Sequence, residues 1–443
     1  MKITINKEVE KGVIKPLHCV NNGPLHNKGS IGTGRSTLKL FKEAGIPYAR
    51  NHDASFFSSY GGEHTVDVNF IFPDFSADPY DPASYDFTFT DEYNERIMMA
   101  GTKVFYRLGS KIEHGSKKYG TKVPEDFKKY AIVCEHIIRH MNEGWADGTQ
   151  LGIEYWEIWN EPNYGWEGTD FDIGNPDSNS CWQGSPREFF EFYSTVACYL
   201  KEKFPKLKIG GPAHAGINEK WLEGFFSYIK ENNVPLDFFS WHIYEKTPEA
   251  TMALGDIAQR FLDKYGYTDA ENILNEWNYV CSWGGDGFTE SIKTIISIKG
   301  AAYTAACMAA AQKSPISMLM YYDASPCAYN GLFDFYTLAP LKGYYPFYLF
   351  NKLYNMGSCI SSDSDDKNIY VIAAKDEKGT LGAMITYYTD EADKDEKTVE
   401  LPDEFLGGEL YLLDNEHDAE LLGEIKENKI SMKPNTVIYI EKR

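Results

Sequence analysis

Several features are missing from this chain, and each absence narrows what it can be. No stretch of about 20 apolar residues occurs, so no membrane-spanning helix is expected. Lys and Arg form no cluster, and 65 acidic residues outnumber 44 basic ones for a net charge of −21. Such a field repels a phosphate backbone, which removes nucleic acid from the expected partners. The eight cysteines (19, 134, 181, 198, 281, 307, 327, 359) are dispersed with no CxxC pair, predicting free thiols in a reducing compartment. The opening MKITINKEVEKGVIKP has no apolar core of the secretory-signal kind, and cytoplasmic residence is the expectation. HExxH is absent; His136 and His140 lie four apart on a helical stretch without a third ligand. SSDSDD (361–366) lacks EF-hand spacing and reads as a solvated hairpin tip, so neither a metal nor another cofactor is called for. Gly29, Gly32 and Gly34 in GSIGTGRSTL do not space as GxGxxG, and the next strand ends without an acidic residue, so a tight turn is predicted there. Internal repeats and low-complexity linkers are absent as well.

What is abundant is aromatic: 9 Trp, 31 Tyr and 26 Phe make 15% of the chain. Most of these side chains belong in a large core, and some are available to line a pocket for flat apolar faces such as sugar rings. At 443 residues the chain exceeds what one core usually holds, so a large domain with a smaller one is expected. From about residue 13 to 323, short apolar runs alternate with amphipathic stretches. The runs are HCVNN (18–22), IPYARNH (46–52), KVFYRLG (103–109), IEYWEIWN (153–160), LKIGGP (207–212), LDFFSWHIY (236–244), NILNEWN (272–278) and ISMLMYYD (316–323). Between them, 36–45, 124–144, 186–204, 220–232, 255–266 and 291–312 carry apolar residues at helical spacing, with Pro124 and Pro186 placed for helix starts. Eight strand candidates in alternation with helices predict a (β/α)8 barrel over residues 15–345, with a doubly wound open sheet as the rival. After about 345 the period changes to two, in NIYVIAAKD, LGAMITYYTD, KTVELP, GELYLLDN and NTVIYIEK. Residues 346–443 are therefore expected to form a small antiparallel β-sandwich, to which residues 1–14 add a strand.

In such a barrel the chemistry sits at the C-terminal ends of the strands. EYWEIWNEPN ends in Asn160-Glu161-Pro162, where proline cannot continue a ladder and so marks the strand's end. ILNEWNY ends similarly, Glu276 following Asn275. A single strand-end glutamate is compatible with capping; two, after the fourth and seventh strands and each preceded by Asn, point to catalysis by a carboxyl pair. Trp277 and Trp283 beside Glu276 are candidates for stacking on a sugar, with core packing as the plain alternative.

WNEPN followed by the later strand-end glutamate resembles the clan A glycoside hydrolases. GTGR (32–35), Arg50-Asn51-His52, WEIWNEPN (156–163) and SWHIYEKTP (240–248) are most similar to glycoside hydrolase family 39, which includes β-xylosidases and α-L-iduronidases. The resemblance implies a retaining hydrolase of plant-type oligosaccharides, with Glu161 as acid/base and Glu276 as nucleophile. It implies that Asn160 binds the sugar 2-hydroxyl, that Tyr244 keeps the nucleophile ionised, that His242 and His52 bind hydroxyls and that Arg50 lies near Glu276. It also implies an oligomer. The strand-8 loop MYYDASPCAYNGLFD (320–334) departs from the family in lacking adjacent glutamates, leaving Asp323, Asn330 and Asp334 as the nearest substitutes. The third strand ends in a charged run that includes Arg107 and Lys111, which a uronide's carboxylate would need or which forms a solvated rim. β-Xylosidase activity leads; α-L-arabinofuranosidase, β-galactosidase or uronidase activity, a non-catalytic carbohydrate-binding protein and a metal-dependent barrel enzyme are the alternatives.

Overall fold

A computed structural model describes residues 1–26, 35–52, 64–110, 121–174, 181–391 and 395–443. The first strand, β1 (Ile3–Val13), stands apart from the barrel. Eight parallel strands then close on themselves: β2 (Cys19–Asn21), β3 (Tyr48–Arg50), β4 (Lys103–Leu108), β5 (Tyr155–Ile158), β6 (Lys208–Ala215), β7 (Phe238–Glu245), β8 (Glu271–Tyr279) and β9 (Met318–Tyr321). Closure is made by β9 against β2, with Cys19 opposite Met320. Each strand coincides with one of the eight apolar runs. The doubly wound alternative is thereby excluded.

Side chains alternate across a strand, and the two faces of this barrel differ in chemistry. Outward-facing Val20, Ala49, Tyr106, Trp156, Trp241 and Leu319 join the surrounding helices in the main core. Inward, Cys19, Phe105, Tyr155, Phe238, Ile273 and Met318 form a small apolar plug, with Tyr48 against it. Two residues further along the same strands stand Asn21, Arg50, Arg107, Glu157, Ser240 and Asn275, all fully buried. The interior is thus apolar at its base and polar one layer above it.

The helices follow from their own signals. Ser185 caps the helix Pro186–Lys203 in a reciprocal box with Glu188, with Pro186 at the first position. Pro124 does not start its helix: Asp126 caps Phe127–Glu143 by accepting from Lys129 N, leaving the proline outside. The expected helix 255–266 begins earlier, at Pro248, because Thr247 supplies the cap. The expected single helix 291–312 is two, Gly285–Ile295 and Ile298–Gln312, the second capped by Ser297. No single helix among the described residues is long and apolar enough to cross a membrane.

The C-terminal strands are β10 (Ser358–Ser364), β11 (Ile369–Lys375), β12 (Leu381–Tyr387), β13 (Lys397–Glu400), β14 (Glu409–Leu413), β15 (Asp418–Glu424), β16 (Lys429–Met432) and β17 (Thr436–Lys442). Seven strands form one antiparallel sheet in the order β1-β10-β11-β12-β17-β14-β15, and β13 pairs with β16. The sandwich is lopsided. The β13–β16 ribbon packs Val399 and Met432 over Ile5, Val371, Ile385 and Ile438, whereas Ile372, Met384, Val437 and Tyr439 on the other face merge with Phe347, Phe350 and Leu353 in the barrel's core. Ser361 to Ser364 lie in β10 paired with β1, so the SSDSDD segment is mostly strand rather than hairpin tip. Tyr279, at the end of β8, donates to Asp390 at 2.7 Å, and Lys299 pairs with the same carboxylate at 2.7 Å. No disulfide joins any of the eight cysteines.

Because one sheet face is part of the barrel's own core, the two units are expected to unfold together. Calorimetry should give one transition, and a chain ending at Gly357 should be insoluble or bind a hydrophobic dye. Two resolved transitions, or a well-folded truncated barrel, would contradict this.

Candidate active site

Two departures from strand regularity bring the glutamates inward. On β8, Leu274 lies opposite Trp241 and Glu276 opposite His242, so Asn275 is an extra residue inserted between two pairing steps. This bulge reverses the alternation. Asn275 and Glu276 both face the interior, and Trp277 is turned out. After β5 the reversal is made by backbone: Trp159 (φ 73°) and Glu161 (φ 49°) are both left-handed. A residue with a Cβ pays about 1–2 kcal/mol for that conformation. Tertiary contacts hold it there. Trp159 Nε1 donates to Cys181 O at 2.9 Å, Glu161 N donates to Ala213 O at 2.8 Å, and the Asn163 side chain exchanges two 2.8 Å hydrogen bonds with the Ala215 backbone. The WNEPN motif therefore codes for a turn pinned to β6 as well as for its glutamate.

Arg50 is the hub of the polar layer. Its Nε donates to Glu157 Oε2 (2.7 Å), Nη1 to Asn21 Oδ1 (3.1 Å) and Glu276 Oε2 (3.3 Å), and Nη2 to Asn160 Oδ1 (2.6 Å). Glu157 is further satisfied by Ser240 Oγ at 2.6 Å and by Asn275 Nδ2. A buried ion pair is best tolerated when its remaining lone pairs and protons are also used, and here all three nitrogens of Arg50 and both oxygens of Glu157 are engaged. With the Asn160 oxygen fixed on Arg50, its Nδ2 is the group left to donate to a ligand.

Around the two glutamates, Tyr244 OH donates to Glu276 Oε1 at 2.6 Å, and His242 Nδ1 lies 2.8 Å from Glu161 Oε1 and 3.4 Å from Glu276 Oε2. His52 Nε2 stands 3.8 Å from Glu276 Oε2. One donor atom from each of Glu161, His242 and Glu276 lies within 4.8 Å of the others. Two unit charges roughly 5 Å apart repel by about 3 kcal/mol at an effective dielectric near 20, so the pair favours holding a proton between them. Burial raises the Glu276 carboxyl above its ordinary value and Glu161 adds to this, against the pull of His242, Arg50 and the Tyr244 hydrogen bond. Burial, then Arg50 and Arg107, hold His52 far below the usual imidazole range, so it is neutral. The Glu276 charge acts chiefly to raise Tyr244, after burial itself, keeping that phenol a donor.

The remaining candidates divide. Trp283 is 60% exposed at the mouth, edge-on to Tyr244 at 5.0 Å and flanked by Phe288 and Tyr329. Trp277 is a correction: it is buried against Tyr303 and Tyr321 in the outer core, because the bulge turned it away. Asp323 is buried and accepts from Asn22 Nδ2 (2.9 Å) and Ser325 N (2.8 Å); Asn330 and Asp334 accept from backbone amides of their own turns. Arg107 is no rim residue: it is buried, pairs with Asp67 and donates to His52 O at 3.3 Å, supporting the backbone just after β3 that carries His52. Lys111, most of GTGR and the three loop glycines lie outside the described residues. His140 is used by Asp91 and Trp145 O, and His136 by Ile132 O. The sequence reading missed Glu157, Ser240 and Asn21. Glu157 did leave a signal, a lone carboxylate inside an apolar strand, which demands a buried partner.

A model of glycosyl hydrolases family 39 matches residues 39–278, more than half of the 443-residue chain. A β-xylosidase of Geobacillus stearothermophilus is 26% identical over 241 residues, 49% of this chain and 42% of that protein. A β-xylosidase of Caldicellulosiruptor saccharolyticus is 26% identical over 254 residues, 55% and 46% respectively. The chain thus spans less than half the length of these curated relatives. Among solved structures, a glucosidase from Croceicoccus marinus superposes with TM-score 0.77 at 23% identity, covering 99% of this chain and 98% of that one. A monomeric β-xylosidase from Caulobacter crescentus superposes with TM-score 0.69 at 16% identity and 99% coverage of both.

Two measurements follow from the polar layer. Glu157→Ala strands Arg50 without its buried partner and should cost about 3–5 kcal/mol in denaturant unfolding; a loss below 1 kcal/mol would remove Glu157 from the role assigned to it. For Glu276, whose folded carboxyl is raised above the ordinary 4.5, the unfolded state sheds its proton first as pH rises. Stability therefore falls through that interval and levels off above the folded value. Against Glu276→Gln, the wild-type melting temperature should drop as pH rises through and above the ordinary carboxyl range; a constant difference would show that the carboxyl is not raised.

Proposed function

The chain belongs to glycosyl hydrolases family 39, and from that footing we propose that it hydrolyses glycosidic bonds with retention of anomeric configuration. The observation that carries this is the carboxyl pair: Glu161 and Glu276 converge with one oxygen of each within 4.8 Å, which favours retention over inversion, where the carboxyl groups stand roughly 6.5–9.5 Å apart.

Glu276 attacks the anomeric carbon as carboxylate while Glu161 protonates the leaving oxygen, and water then reverses the step with Glu161 as base. Tyr244 donates to one Glu276 oxygen and Arg50 to the other, which favours the ionised nucleophile against burial. Asn160 Nδ2, oriented by Arg50, is placed to donate to the 2-hydroxyl, a bond that strengthens as oxocarbenium character grows. Trp283 offers a stacking face at the mouth for the sugar or leaving group.

β-Xyloside-bearing oligosaccharides are the substrate class favoured by this reading. Arg107, the described arginine that a uronide carboxylate would have used, is instead committed to Asp67, which supports a neutral sugar. Eight cysteines without a disulfide support residence in a reducing compartment, the cytoplasm.

The test is a panel of p-nitrophenyl β-xyloside, α-L-arabinofuranoside, β-galactoside, β-glucuronide and α-L-iduronide. Glu276→Ala should abolish turnover of the accepted sugar, and azide should partly rescue Glu161→Ala. Tyr244→Phe should move the acid limb of kcat/KM to higher pH, because removing a donor to Glu276 raises its pKa further. Activity unchanged in both glutamate variants would refute the assignment.

A further inference from the structure

We infer that the loop after β12 is a positioning element of the active site: Asp390 and Tyr388 hold the ends of β7 and β8 where Tyr244 reaches Glu276. Tyr244 stands on β7 and Glu276 on β8. The 2.6 Å hydrogen bond between them runs diagonally, since Tyr244 is in register with Asn278 and Glu276 with His242. Register pairing of the two strands ends at Glu245 opposite Tyr279, followed by one bond from Val280 N to Glu245 O at 3.3 Å. Side chains of the C-terminal sheet take over from there.

Tyr279 OH donates to Asp390 Oδ1 at 2.7 Å. Lys299 Nζ, from the helix Ile298–Gln312, pairs with the same oxygen at 2.7 Å and lies 5.2 Å from the centre of the Tyr279 ring. Two residues before Asp390, buried Tyr388 donates to Lys246 O, the first carbonyl after β7, and Lys246 Nζ stands 3.8 Å from Asp390 Oδ2. Tyr370 on β11 donates to Glu249 in the first turn of the helix that follows. Packing backs these bonds: Tyr388 lies 5.6 Å from Tyr303, which lies 5.5 Å from Tyr279 and 6.0 Å from Trp277. Burial alone raises the Asp390 carboxyl, but hydrogen bonds from Lys299 and Tyr279 hold it below its ordinary value, so it stays an acceptor. All of these contacts land just beyond Tyr244 or Glu276 in the chain. Of the groups facing Glu276, namely Arg50, His52, Glu161, His242 and Tyr244, Tyr244 stands nearest the clamped end. A hydrogen bond weakens steeply as its angle departs from the optimum, and a misplacement of roughly 1 Å far from the chemistry can cost about a hundredfold in rate.

The catalytic meaning of the clamp rests on the proposed function; the clamp itself is tested apart from it. Protein carrying carboxyl-labelled glutamate is titrated by carbon NMR, the Glu276 signal being identified by its loss in Glu276→Gln. Tyr244→Phe should raise the Glu276 pKa. Asp390→Ala should raise it by about half a unit or more; losing the negative charge acts in the opposite sense, so a rise reports geometry. The double variant should shift it no further than Tyr244→Phe alone, because both changes act on one hydrogen bond. Asp390→Asn, which keeps an acceptor for Tyr279, should shift it less than Asp390→Ala does. Asp363→Ala, which breaks the 2.8 Å pair with Lys313 at the opposite end of the barrel, should leave it unchanged. Each variant is first shown to melt within a few degrees of wild type. Should Asp390→Ala not fold, Tyr388→Phe, which removes the bond to Lys246 O and keeps the ring, decides by the same criteria. An unmoved Glu276 pKa in the folded variant, or a shift that adds to that of Tyr244→Phe, overturns the proposal whatever the enzyme hydrolyses. Where a glycoside is hydrolysed, Asp390→Ala should lower kcat with KM little changed and move the acid limb of kcat/KM to higher pH; a rise in KM alone overturns the link to Glu276.

Discussion

A single buried pairing, Arg50 on Glu157 at 2.7 Å, organises everything above it in the barrel. A guanidinium and a carboxylate in the middle of a closed barrel are tolerable only if both are fully used, because each desolvated charge left unpaired costs several kcal/mol. Using them fully fixes geometry. The three nitrogens of Arg50 reach Glu157, Asn21, Asn160 and Glu276, and the two oxygens of Glu157 draw in Ser240 and Asn275. Strands β2, β3, β5, β7 and β8 are thereby locked together one layer below the rim. Precision at the rim is a consequence of satisfaction at the layer beneath it.

That layer also separates two environments. Below it the interior is an apolar plug that could be built from many side chains. Above it stand the two glutamates, His242, Tyr244 and His52, in which burial and charge act in opposite senses. Burial works against an ionised Glu276, while Tyr244, Arg50 and His242 work for it.

Strain is placed where the framework can hold it. Left-handed backbone at Trp159 and Glu161 and the bulge at Asn275 both lie at the ends of strands whose other residues are regular. Each re-aims one side chain by breaking the two-residue alternation. The outer wall absorbs the tryptophans so displaced: Trp159 packs against Trp182 and Phe192, and Trp277 against Tyr303 and Tyr321.

All eight barrel strands, the change to period two near residue 345 and the two glutamates were legible in the sequence, because each rests on local information: apolar run length, spacing, and a proline that ends a strand. The facing of individual residues after those glutamates was not legible. Simple alternation makes Asn275 and Trp277 inward and Glu276 outward; the bulge that reverses this is set by pairing with β7, a partner some 30 residues away in the chain. The roles of Glu157, Ser240 and Asn21, the commitment of Arg107 to Asp67 and the turn-bound state of Asn330 and Asp334 were hidden for the same reason. A buried charge announces that it needs a partner, but only closure of the barrel, which brings β2 against β9 and sets five strands around one polar layer, decides which partner it meets.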